Sequence, residues 1–414
     1  MESIRRRDLV LGGTAWLTAA MPPAAADTAP AALPHPPRAA RRLLAGSRAE
    51  LVLRLTEARP GDHILLAPGG DFTGGPVEIA KSDIVLRSPN LLQTTVRHAF
   101  RLQPTSRNVW LWGLTVSEVW NPFTVEGDDH VIGRCRMIRP GGVTVAVGKS
   151  RRLRVFACEF LGQMPWTAAE RAQGARGLQP IRMHIRYQRD YPRGLRVLRC
   201  LFRGGLRRPI GTVYRSGQPD FLEPGGGGNL GGTETFATFE YLLLSRHPGY
   251  SRLPESGAVF DIKTSRVTAR HITLKHTRGR LDIRVGHGSV LEGIWLDDGC
   301  DGTNIHGGGH LVNGWRVGSG GGALRLLSGD VPWNVSNRHH AYAYRCQLHH
   351  VDGPIVLGYR GLPLPPTDNM IFNHRSGDIT VVAERGTHVY PRSPLPRVRP
   401  FELKRADVGC LWGL

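Results

Sequence analysis

Lys263 and Arg284 stand 21 residues apart in the stretch Asp261–Gly288. Each is expected to close a short strand, Val259–Lys263 and Leu281–Val285. Their spacing falls within an interval of 20–25 residues that recurs along the chain. If that interval is one turn of a coil, the two cations stack about one strand spacing apart, roughly 5 Å. Two cations so close are costly unless an anion lies over them. The pair therefore points to an acidic ligand or substrate.

The recurrence also says what must hold them. Short β-rich runs begin near Ile64, Ile84, Val109, Val131, Leu153, Leu195, Ala237, Val267, Val290, Leu311 and Ala343. Each alternates apolar and polar residues and ends in a Gly or Asx turn, as in VIGRCRMIRPGG and VLEGIWLDDG. Three short strands and three turns use about this many residues. Such coils stack into a single-stranded right-handed parallel β-helix, an all-β fold. A β-propeller needs blades of about 40 residues and hairpin turns. Residues 162–194 and 204–235 are each expected to hold an extra coil with an extruded loop, and such loops wall binding grooves. A helix over Ser47–Ala58, with Ser47 as N-cap and Leu51, Leu53 and Leu55 apolar, is expected to cap the open end of the stack.

The chain has 414 residues, 52 of them glycine, and a net charge of +20 carried mostly by arginine. A polyanionic partner follows: nucleic acid or an acidic polysaccharide. The N-terminus bears on that choice. Arg5-Arg6-Arg7 precedes the apolar stretch Leu9–Ala20 and the small residues Ala24-Ala25-Ala26. Residues 1–26 therefore read as a twin-arginine signal peptide, which implies a periplasmic or secreted protein. Export disfavours nucleic acid, and the apolar stretch is too short to insert across a membrane. Residues 27–46 read as a linker, 47–390 as the β-helix, and 391–414 as a tail packed on its outside. A monomer is expected. The six cysteines form no CxxC pair, so no zinc site is expected. Cys135, Cys158, Cys200 and Cys346 share one local context and are expected as a column of buried thiols.

The sequence resembles the alginate lyase and chondroitinase B family of polysaccharide lyases, whose members have the pectin lyase-like β-helix. The residues that carry the likeness are Lys263-Thr264, Leu281-Asp282-Ile283-Arg284, GGGHLVNGWRV (Gly307–Val317), GALRLLSGD (Gly322–Asp330) and GPIVLGYRGLPLPPTDNMIFNH (Gly353–His374). It covers roughly residues 60–390. What it implies is β-elimination on a uronate polymer of the alginate or chondroitin/dermatan type. Lys263 would be the base and Arg284 the acid or charge stabiliser. Arginine rarely surrenders a proton, so Arg284 is read mainly as an electrostatic clamp.

The departures from the family are specific. The resemblance implies calcium held by two acidic residues before the lysine, but those positions fall on Ser256 and Ala258. Glu255 and Asp261 are out of step, and Asp261 is expected to pair with Lys263 or Arg284. The Arg-His-Gly motif is interrupted as Arg284-Val285-Gly286-His287, and a further family arginine falls on Asn304. Either cations neutralise the substrate carboxylate, with His287, His306 and Arg325 as candidates and no metal, or activity is lost. Tyr214 and Arg215 are candidates for sugar-carboxylate subsites. Two other classes stay open. One is a β-helix glycoside hydrolase, which needs paired carboxylates and has acids in Asp297–Asp301. The other is a non-catalytic polyanion binder.

Overall fold

The computed structural model describes residues 34–165, 168, 181–187, 193–204, 208–214, 234–246, 258–262, 264–283, 286–297, 299–318, 321–329, 342–359 and 361–412. Its strands pair in parallel, each with the strand one coil earlier and one coil later, which makes the fold a parallel β-helix. Among the described residues one sheet has 19 strands and the other 12. The coil Val131–Gly133, Arg136–Ile138, Val145–Arg151 shows the plan. Its first two strands lie in the larger sheet and its third in the smaller. Between the first two sits Arg134 at φ 49, and Ala157, Arg199, Tyr241, His271, Gly293 and Gly314 repeat that left-handed turn in later coils. A left-handed residue bends the strand sharply while keeping the coil in register.

Register explains the short apolar runs. Leu111, Ile132, Val155, Val197 and Phe239 occupy one inward column, each paired with the next. All are almost wholly buried. Burial stabilises by about 1.5–3 kcal/mol per large apolar side chain, and here each coil supplies the partner for the next. Phe160 and Phe202 stack in the same way at 4.3 Å.

Several expectations need correction. The linker assigned to 27–46 ends earlier, because Arg41–Ser47 forms strand β1. It pairs with β2 (Asp62–Asp71), buries Ala45, and ties Arg41 to Asp62 at 2.6 Å. Helix α1 (Arg48–Glu57) lies between them, with the Ser47 hydroxyl accepting from the Glu50 amide at 3.2 Å. Leu51 and Leu55 face the core, whereas Leu53 is half exposed. No extra coils occur in the two long intervals. Arg154 pairs directly with Arg196, and Arg196 with Thr238. Strands Ile181–Tyr187 and Arg208–Tyr214 therefore each complete one ordinary coil that carries long insertions. The cysteine column contains three of the four expected thiols. Cys135, Cys158 and Cys200 precede the paired residues Arg136, Glu159 and Leu201. Cys346 precedes Gln347, which pairs with Leu311 in the other strand line of the sheet. All six cysteines are free and buried.

Both ends of the described residues lie against the larger sheet. His35 sits 6.3 Å from Trp112, whose neighbours Trp110, Val131, Phe156 and Leu198 form an outer apolar patch with Trp412. The tail runs back over the column of left-handed turns. Asn313 Nδ2 donates to the Pro396 carbonyl, the Leu403 amide to Thr273 Oγ1, and Arg134 Nη1 to the Cys410 carbonyl. Buried Glu159 accepts from Arg136 at 2.8 Å, from Arg405, and from the Cys410 amide at 3.1 Å. These contacts cover the larger sheet.

Candidate functional site

The smaller sheet carries the stretch singled out by the sequence. Strands β3 (Ala258–Ile262), β4 (Arg280–Ile283), β5 (Gly302–Ile305) and β6 (Ala323–Leu326) lie side by side. Residue by residue, Ile262 pairs with Ile283 and Ile283 with Ile305. All three isoleucines point into the core. Successive residues on a strand face opposite ways, so the preceding position in each strand faces outward. That outer line runs Asp261, Asp282, Asn304, Arg325.

Lys263 and Arg284 lie outside the described residues, as does Arg215. The backbone of Tyr214 ends the strand Arg208–Tyr214, opposite Tyr187. What can be stated of the candidate pair is its setting: each directly follows a residue of the in-register pair Ile262 and Ile283. The spacing of 21 residues thus equals one coil at this point. His306 follows Ile305, the next in that line, and its amide donates to the Ile283 carbonyl at 2.8 Å.

The three candidate neutralising residues separate. His306 is nearly buried and shares the register of the candidate pair. Arg325 stands in the outer line, and its Nη1 donates to the Asp301 carbonyl at 2.8 Å and to Asn304 Oδ1 at 3.5 Å. His287 turns toward the previous coil. Its Nδ1 meets Ser265 Oγ at 2.9 Å and its Nε2 lies 3.6 Å from Glu234. The Arg266 guanidinium chiefly, with His287 adding to it, holds the Glu234 carboxyl below its ordinary range.

A cluster not evident as a group in the sequence stands at the entry edge of this sheet, formed by Arg280, Asp282, Asp301 and Arg325. Arg280 Nε lies 3.3 Å from Asp282 Oδ1, with side-chain exposures of 15% and 2%. Asp301, among the acids noted for the hydrolase alternative, has its carboxyl pushed up by burial, with Arg280, Arg325 and Arg278 opposing and Asp282 adding to the rise. Arg325 is pushed down by burial and then by the neighbouring Arg280. One signal could have revealed the group. Asp261 and Asp282 share the 21-residue spacing of Lys263 and Arg284, and Arg280 stands two residues before Asp282 on the same face.

Among the described residues the donors needed for calcium are not gathered. Ala258, at one expected ligand position, is a buried methyl in β3. Ser256 and Glu255 lie outside the described residues. Asp282 is engaged by Arg280, and Asn304 Oδ1 by Arg325. Among the described residues no three His, Cys, Asp or Glu side chains are grouped to hold a metal ion. The described residues do not fit the calcium cradle implied by the resemblance. Nor does any helix among them have the length and apolarity to cross a membrane.

No family model matches the sequence, and no curated protein matches it either. Solved structures do share the fold. A mannuronic acid-specific family 6 polysaccharide lyase from the human gut microbiota aligns over 83% of this chain and 82% of its own, with a TM-score of 0.58 and 14% identity. A family 6 alginate lyase in complex with a trisaccharide covers 84% and 83%, with a TM-score of 0.56 and 11% identity. A family 6 lyase from Pseudopedobacter saltans covers 91% and 100%, with a TM-score of 0.52 and 13% identity. At these identities the likeness establishes the fold, and it is the fold of the lyases that the sequence resembles.

Proposed function

We propose that this chain is a polysaccharide lyase that cleaves a uronate-containing polymer by β-elimination. The observation that carries the reading is the register of β3 and β4. Ile262 lies opposite Ile283, so Lys263 and Arg284 follow paired residues in adjacent coils, on a sheet whose fold is shared with alginate lyases.

In this reaction a base removes the proton beside the uronate carboxyl group. The electron pair forms a carbon–carbon double bond, the glycosidic carbon–oxygen bond breaks, and the departing oxygen takes a proton. Charge building on the carboxylate must be met by fixed positive groups. Lys263 is the proposed base, since a lysine among cations gives up its proton more readily. Arg284 is the proposed clamp on the developing charge. His306, next in the same register, and Arg325, in the outer line, supply further positive or donor groups. The proposed substrate is alginate or a chondroitin/dermatan-type polymer, and the proposed setting is the periplasm or cell exterior. Neutralisation by protein cations in place of calcium suits a face on which arginines already occupy Asp282 and Asn304.

Unsaturated ends absorb in the ultraviolet, so incubation with alginate, chondroitin and dermatan is a direct test. A lyase yields absorbing product, and Lys263→Ala should reduce its rate at least 100-fold, general-base catalysis contributing about 10²–10⁴-fold. Full activity in Lys263→Ala, with unchanged circular dichroism, refutes the role. Saturated reducing ends would instead identify a hydrolase. A chelator should change the rate less than twofold; a large loss restored by calcium would overturn the cation-based neutralisation.

A further inference from the structure

We infer that Arg280 and Arg325, with Arg278 beside them, form an anionic-sugar subsite at the entry edge of the smaller sheet, and that Asp282 positions Arg280 within it. This rests on the uronate-polymer reading above and deepens it. The turn before β4 reads Thr277-Arg278-Gly279-Arg280, and Thr277 Oγ1 accepts from the Gly279 amide at 3.3 Å. The next coil stacks on it, its Asp301 amide donating to the Gly279 carbonyl at 3.3 Å. The coil after that follows, its Gly322 amide donating to the Cys300 carbonyl at 2.6 Å. Three stacked turns thus give the arginines a rigid base.

Gly302 lies between Arg280 and Ala323 in the register, and Arg325 stands two residues beyond Ala323. A Cβ at Gly302 would stand 2.1 Å from the Ala323 carbonyl oxygen, so this position admits no side chain. Arg325 is therefore two strands from Arg280 and two residues farther along, roughly 12 Å away at the backbone. Their charges sense each other, and Arg325 makes its contacts with neutral oxygens, the carbonyls of Asp301 and Ala323 and the amide oxygen of Asn304. Of the carboxylates nearby, Asp261 and Asp282 are buried side by side, Asp282 against Arg280, while Asp301 is the more exposed. Guanidinium is the side chain best matched to a carboxylate. From Arg280 to the position after Ile283 is four residues, about 13 Å of strand. Arg280 is thus separate from the register line of Lys263 and Arg284 by more than the length of one sugar, while Arg325, in register with Asn304, stands two residues from that line.

Binding of purified oligomannuronate and oligoguluronate tetrasaccharides, with a neutral glucan tetrasaccharide as control, tests this by calorimetry on the full chain. Arg280→Ala and Arg325→Ala should each weaken acidic oligosaccharide binding about tenfold or more and flatten its salt dependence. Arg280→Lys should lose less, and Asp282→Asn should act like a weaker Arg280→Ala. In turnover the Arg280→Ala loss should appear chiefly in KM. If Arg325→Ala fails to fold, Arg280→Lys and Arg278→Ala still report on the subsite. Unchanged affinity in a folded Arg280→Ala, or equal binding of the neutral glucan, overturns the inference. A wild-type chain that binds uronates through these arginines but makes no unsaturated product leaves the subsite standing and removes the lyase reading.

Discussion

Gly314 offers a sharp test of how the C-terminal tail is held. It has φ 73, and a Cβ there would stand 1.7 Å from the Val398 carbonyl oxygen. That atom is backbone and cannot rotate aside, so Gly314→Ala must lift the tail. A left-handed alanine costs about 1–2 kcal/mol by itself. Lifting the tail also removes the bond from Asn313 Nδ2 to the Pro396 carbonyl, worth about 1 kcal/mol. It exposes buried Val398 as well, worth about 2 kcal/mol. The expected total is about 4–5 kcal/mol. Gly309 is the control, with φ 62 and no atom within 4 Å of its would-be Cβ. Gly309→Ala carries the backbone cost alone, so the two variants should differ by about 3 kcal/mol. Denaturant unfolding measures the difference, and limited trypsin digestion at Arg397 and Lys404 reports tail release. Equal destabilisation of the two variants, with tail cleavage as slow as in the wild type, would refute the reasoning.

Three further outcomes are expected. His130 and His310 use Nδ1 to accept from the Val109 and Ser289 amides and Nε2–H to donate to the Glu126 and His306 carbonyls. Burial holds both at about 4. Their folded values lie below the ordinary 6.5, so the stability they contribute is complete above pH 6.5 and lost as pH falls toward 4, by at most about 3 kcal/mol each. Asn369 fills the same corner two coils later in the same strand line, accepting from the Cys346 amide. His310→Asn should therefore keep the fold while lessening the fall in Tm between pH 7 and pH 4.5; an unaltered pH profile would count against the neutral-histidine account. The six buried cysteines, with Cys300 and Cys346 pushed up to about 12 by burial, should resist a thiol reagent in the native protein and all react once it is unfolded. Rapid native labelling, or fewer than six thiols after unfolding, would contradict the burial. Glu159→Gln removes a buried carboxylate from Arg136 and Arg405 and should lower stability by about 2–3 kcal/mol, with faster tail proteolysis; an unchanged Tm would show that the tail is held without it.

The sequence by itself determined the coil. Apolar residues at alternate positions, repeated every 20–25 residues, leave few ways to bury them other than stacking, and Val131, Val290 and Leu311 begin strands where the pattern placed them. It also determined that Ile262 and Ile283 share a register, because 21 residues is one coil there. Composition pointed to an anionic partner, since charge needs no fold to be counted. Wherever the spacing stretched, the pattern failed. A gap of 42 residues before Leu195 reads equally as two coils or as one coil with insertions, and only the pairing of Arg154 with Arg196 decides between them. The cysteine context misled for a related reason: both strand lines of the larger sheet present the same Arg-Cys-polar pattern, and a local motif does not say which line it occupies. Tertiary structure alone decided that β1 extends into the expected linker and that the described C-terminal tail runs over the larger sheet. It alone brought Arg280, Asp282, Asp301 and Arg325 together from three coils. Those choices depend on side chains that meet across coils, and a linear sequence records the period of the coil but not the direction in which each long charged side chain reaches.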